Sequence, residues 1–87
     1  MKENSIKTAI LTEIKDKLDS FGISESEITN DFNLVQSGLL DSMAFVDLIA
    51  TLEEKFEVEV DFESMVEDDN FTTVSVVIDM INKSKNG

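Results

Sequence analysis

The chain has no cysteine and no histidine, and it contains no arginine. Without cysteine there is neither a disulfide nor a thiolate metal site, and without histidine the commonest general base and metal ligand is missing. A Ser-His-Asp triad is therefore excluded. The cations are seven lysines against nineteen aspartates and glutamates, a formal charge of -12, so a nucleic-acid backbone would be repelled rather than neutralised. Macromolecular partners are expected to be basic proteins; the plainer account of the acidity is solubility. No window approaches the roughly 18 apolar residues of a membrane span, and the opening MKENSIKTAILTEIKD has no long apolar stretch. The expectation is a cytoplasmic protein with neither an export signal nor membrane insertion.

What is present is enough for one small core. The 87 residues are 41% hydrophobic and 30% charged, a globular composition. A chain of this size buries roughly 60 to 65 per cent of the surface its unfolded form exposes. One domain, residues 1–87, is expected.

Ile6, Ile10, Ile14 and Leu18 recur every four residues with Ala9 and Leu11 beside them, which predicts an amphipathic helix over about 4–20. Gly22 and the Ser/Asn-bearing GISESEITND break it, opening a long connection over 21–41. That connection carries Phe21, Ile23, Ile28, Phe32, Leu34 and Leu39, so it is expected to pack over the core as an ordered loop, with room for a short turn. A second helix fits about 42–56, its core face being Phe45, Leu48, Ile49, Leu52 and Phe56. EVEVDF, residues 57–62, alternates like a strand but has no partner to pair with, and is read as an extended connector. A short helix at about 62–67 and a last helix at about 72–83, with Val74, Val77, Ile78 and Ile81 on one face, complete the chain and leave NKSKNG to fray. The fold class is all-α: a small antiparallel bundle of three main helices plus one short one, with a long ordered loop between the first and second.

The segment SGLLDSMAFVDL sets an Asp-Ser pair where the glycine-bearing loop becomes the second helix. Asp41 is a favoured N-cap, and that alone would account for the pair. It leaves the rest of the helix unexplained. On a wheel of about 100 degrees per residue, Met43, Val46 and Ala50 fall about half a turn from Phe45 and Leu52, with Asp47, Glu53, Glu54 and Glu57 around them. An apolar stripe rimmed by acid suits a partner-docking surface. Burial of Met43 and Val46 beneath the long loop would explain it equally well.

GLLDSMAFVDLIATLEEKFEVEV resembles the attachment segment of acyl carrier proteins, whose Asp-Ser-Leu or Asp-Ser-Met serine receives 4'-phosphopantetheine from coenzyme A. The resemblance runs along most of the chain, from the first helix to FTTVSVVIDMI. It implies that Ser42 is the modified serine, that Asp41 assists the modifying synthase and its metal, and that Met43, Val46, Asp47, Ala50, Glu53 and Glu54 form the recognition face. It also implies a monomeric phosphoprotein that is not an enzyme. A phosphopantetheinyl transferase would install the arm, which would hold an acyl or aminoacyl group as a thioester between loading and processing enzymes with basic docking patches. The bare chemistry agrees: a serine hydroxyl is a poor nucleophile without a base, so a chain lacking histidine should be acted upon rather than act.

The segments point to different branches of that family. Carriers of fatty-acid synthesis usually have an acid two places after the serine, where this chain has Ala44, and a shorter side chain than Leu40 before the Asp. GLLDSM is closer to D-alanyl carriers of teichoic acid assembly and to stand-alone carriers of secondary metabolism, whereas LEEKFEVEV and FTTVSVVIDMI are like the fatty-acid and lipid type. The alternative from another class is an acidic helical interaction module with no prosthetic group. A calcium loop beginning at Asp31 is disfavoured, since Val35, Gln36 and Ser42 occupy its fifth, sixth and twelfth positions and none of them suits the role. No metal is expected.

Overall fold

In the computed structural model, residues 2–86 are described, with side-chain surroundings from 5 to 84. The elements in order are α1 (Lys2–Phe21), a 3-10 turn (Glu25–Glu27), α2 (Ser42–Phe56), α3 (Phe62–Met65) and α4 (Val74–Asn86). The architecture is all-α, and the described residues hold no strand. The core is one cluster in which α1, α2 and α4 each pack on the other two.

α1 buries Ile6, Ala9, Ile10, Ile14 and Leu18 along one stripe, as their spacing requires. It ends in a left-handed residue at Gly22, φ +70°, with the Ile23 N–H donating to the Leu18 carbonyl at 2.9 Å and the Gly22 N–H to Asp19 at 3.3 Å. This is a Schellman closure, and glycine adopts its positive φ without steric cost. The closure corrects one expectation. Phe21 does not pack over the core but is 55% exposed, because the helix runs on to include it and the turn folds Ile23 back instead.

The long loop is stitched to the start of α4. Asn33 Oδ1 accepts from the Val35 and Gln36 N–H groups at 3.0 and 2.7 Å and from the Thr72 hydroxyl at 2.7 Å. The Leu34 N–H donates to the Thr72 carbonyl at 2.8 Å, the Val74 N–H to Phe32 at 3.0 Å and the Ser75 N–H to Asn30 at 2.9 Å. Orphan donors of a helix N-terminus are thus satisfied by loop carbonyls. Asn33, third residue of the disfavoured calcium loop, has its side-chain oxygen committed to these bonds.

α4 starts at Val74 with Thr73 as its cap and continues to Asn86, past the end expected at about 83. Its last turns are tied by the Ser84 hydroxyl donating to the Met80 carbonyl at 2.8 Å and by the exposed Asp79–Lys83 pair at 3.4 Å. Most of NKSKNG, expected to fray, is therefore part of α4; Gly87 lies outside the described residues.

The connector after α2 is extended, with Val58 half-buried and Val60 buried between exposed Glu57, Glu59 and Asp61. Its backbone donors find partners on α2: the Val58 N–H on the Glu53 carbonyl at 3.0 Å, and the Val60 N–H on Glu53 Oε2 at 2.7 Å. α3 is shorter than the expected 62–67 and is capped by Asp61, whose carboxylate accepts from the Ser64 N–H and hydroxyl.

Candidate functional site

Gly38, at φ +87°, lets the loop turn so that its N–H reaches the Val35 carbonyl at 2.9 Å, and the Leu40 N–H then reaches Leu34 at 2.9 Å. Leu39 and Leu40 are both buried, so two consecutive side chains anchor the loop immediately before the helix. The chain emerges at Asp41 in an extended conformation, φ -85° and ψ 178°. Its Oδ1 accepts from the Ala44 N–H at 2.8 Å and its carbonyl from the Phe45 N–H at 3.0 Å, a full N-cap.

Ser42 follows as the first residue of α2, exposed, its hydroxyl making no hydrogen bond among the described residues. Ser37, five residues earlier, differs: its Oγ accepts from the Leu39 N–H at 3.3 Å and donates toward the Leu34 carbonyl at 3.5 Å. One serine is tied into the loop, and the other stands free at a rigid helix start.

Along α2 the second apolar stripe is open to solvent, with Met43 76% and Val46 49% exposed and Ala50 exposed with them. The loop does not cover it, which removes burial as its explanation. Asp47 and Glu54 are exposed on its flank. Glu53 is different: it is half-buried and its carboxylate is bound to the Val60 N–H, so it holds the connector down and is not a free surface acid. Sequence spacing could not show this, because the partner is a backbone group beyond the end of the helix.

Inward from Ser42 lies an aromatic row that the sequence did not single out. The ring of Phe45, one helical turn on, meets Phe71 edge-to-face at 5.8 Å and 76°, and Phe71 meets Phe62 at 6.5 Å and 84°. A groove between α1 and α2 is lined by Glu13, Lys17, Leu40, Ala44, Asp47 and Thr51, among others.

The described residues thus form an all-α bundle with an exposed serine at a capped helix start and an exposed apolar stripe beside it. Residues 9–81 match the family model described as the phosphopantetheine attachment site, and the chain belongs to that family. Members carry covalently attached 4'-phosphopantetheine, and this chain is a phosphopantetheine carrier in that general sense. The family's carrier domains are non-catalytic and meet modifying and processing enzymes. Among the described residues no helix is long and apolar enough to cross a membrane.

Proposed function

We propose that Ser42 is the attachment residue, that a phosphopantetheinyl transferase installs the arm there, and that the protein then carries an acyl or aminoacyl group between loading and processing enzymes. The observation that carries this is the free, exposed Ser42 hydroxyl next to the Asp41 cap, against the bonded hydroxyl of Ser37. In the modification, Ser42 Oγ forms a new P–O bond to the phosphorus bearing the pantetheine of coenzyme A. The pyrophosphate P–O bond breaks, 3',5'-adenosine bisphosphate leaves, and the serine proton passes to a base on the transferase. Asp41 spends one carboxylate oxygen on the helix cap, and its other oxygen is available to the transferase's metal. The attached arm supplies a thiol that holds the cargo as a thioester.

The chain's own residues supply rigidity and an address. Burial of Leu39 and Leu40 fixes where the arm begins, while Met43, Val46 and Ala50 offer apolar anchors, with Asp47 and Glu54 attracting a basic patch. Glu53 supports that face from behind by holding the connector. Tethering raises the effective concentration of the cargo at each active site. The reading includes a monomer working in the cytoplasm, where coenzyme A is at hand. The family match favours it over an acidic module without a prosthetic group.

Intact mass after incubation with coenzyme A and a broad-specificity transferase tests the assignment. Wild type and Ser37→Ala should each gain one phosphopantetheine and Ser42→Ala none, with folding of Ser42→Ala changed by no more than about 0.5 kcal/mol because Asp41 still caps. Mass gained by the Ser42→Ala variant rules the site out.

A further inference from the structure

Resting on the docking face of α2 in the proposed function, we propose that Met43 is a site of reversible oxidation: a hydroperoxide turns its thioether into the sulfoxide, and the change removes the apolar anchor next to Ser42. The chain has no cysteine, histidine, tryptophan or tyrosine, so its four methionine sulfurs are the side-chain atoms most open to such an oxidant. Which of them reacts then follows exposure. Met43 is 76% exposed, the most open large apolar side chain among the described residues, whereas Met65 is 1% exposed and Met80 packs half-buried against the core. Met1 lies outside the described residues.

The chemistry is a two-electron oxidation of sulfur. The Met43 Sδ lone pair attacks one peroxide oxygen, the O–O bond breaks and an S–O bond forms; the departing hydroxide takes up the proton released by the transferred oxygen and leaves as water. Sulfur is oxidised and the peroxide reduced. The product exchanges a flexible apolar end for a strongly polar one. For the fold this costs little, because a side chain so exposed contributes little to the core. For a docked partner it sets an oxygen that must be desolvated against an apolar pocket, one helical turn from the exposed carboxylate of Asp47. A dithiol reductant, acting through methionine sulfoxide reductases, reverses the step: the oxygen leaves as water and the dithiol becomes a disulfide.

The test uses the chain before the arm is attached, since the arm's thiol would compete for oxidant. Dilute hydrogen peroxide is removed with catalase, peptide mapping locates the added oxygen, and the singly oxidised form is given coenzyme A and a broad-specificity transferase at subsaturating concentration. Met43 should gain oxygen at least about tenfold faster than Met65. Modification of Ser42 should then slow about fivefold or more, and reductase with dithiothreitol should restore it. Melting temperature should stay within about 1 °C. Met43→Leu, whatever its own rate, should react equally before and after peroxide, which assigns the loss to this side chain rather than to another methionine. Oxidation of Met65 as fast as Met43, or a peroxide-dependent loss that persists in Met43→Leu, overturns the proposal. Met43→Ala separates it from the docking reading. If that variant is slow and the sulfoxide is not, the redox site alone fails; if neither is slow, the docking face fails and the proposal with it.

Discussion

The side-chain oxygen of Asn33 accepts a hydrogen bond from the Thr72 hydroxyl at 2.7 Å, joining residues 39 apart across the loop and the start of α4. The same oxygen also takes two backbone N–H groups, so one side chain holds the loop's turn and its attachment to the bundle. Asn33→Ala should cost about 2 to 3 kcal/mol, since it strands donors in a partly buried place, whereas Thr72→Val should cost about 1 kcal/mol. Urea denaturation of the two variants checks the order. Equal losses would mean that the cross-link, not the turn, is what Asn33 secures.

Two neighbouring glutamates on α2 should separate stability from recognition. Glu53→Gln weakens the bond to the Val60 N–H and should cost about 1 kcal/mol while leaving the rate of transferase encounter near wild type. Glu54→Lys touches no such bond; it should leave stability within about 0.5 kcal/mol and slow encounter at low salt. Asp16→Lys, on the solvent side of α1, is the charge control and should slow encounter less. Glu13 is unsuitable for that purpose because it shares the α1–α2 groove with Asp47. Stopped-flow association with melting curves reads both quantities.

Glu57 sits in the left-handed region, φ 54° and ψ 50°, where a side chain is strained and glycine is not. Glu57→Gly should therefore raise stability by about 0.5 to 1 kcal/mol, despite the added freedom of the unfolded chain. A fall in melting temperature would show that the Glu57 side chain contributes more than its backbone strain costs.

Asp61 supplies a pH dependence. Its hydrogen bonds from the Ser64 hydroxyl, and then from the Ser64 N–H, hold its carboxyl below the ordinary value of 3.8. A depressed folded value makes a contribution to stability that is fully present above the unfolded pKa of about 3.9 and is lost as pH falls through the folded one. The stability difference between wild type and Asp61→Asn should accordingly shrink as pH drops from about 5 to about 2. A constant difference over that window would place the acid sensitivity elsewhere.

The helices were legible because their signals are local and periodic. Ile6, Ile10, Ile14 and Leu18 had to share a face, and the Met43, Val46, Ala50 stripe of α2 was visible as a second face before its exposure was known. Contacts that pass between segments far apart in sequence were not legible. Nothing in NDFNLVQ signals that Asn33 will reach Thr72, and nothing in LEEKFEVEV signals that the first of its glutamates will turn to a backbone donor in the connector. Phe21 misled for a related reason. Its place on the α1 wheel is correct for burial, but the turn at Gly22 decides which side chain is folded back, and it selects Ile23. The SESE run did carry an unused local signal, since Ser24 and Glu27 stand at capping-box spacing and Glu27 accepts from the Ser24 N–H at 2.8 Å.

The carbonyls of Phe32 and Asn30 that receive the first N–H groups of α4 belong to a segment preceding α2, so the last helix completes its opening hydrogen bonds only against a distant part of the chain. α4 cannot fill its opening hydrogen bonds until the loop has found its place, and the loop's own regular structure is limited to the 3-10 turn at Glu25–Glu27. The two should open and close together as one cooperative unit, so the amides of Leu34, Val74 and Ser75 should exchange with solvent at a common rate despite their separation along the chain. Ser42, the proposed attachment residue, follows a loop held by a joint whose two halves are synthesised far apart, so the loop's contacts with α4 cannot form until α4 has been made.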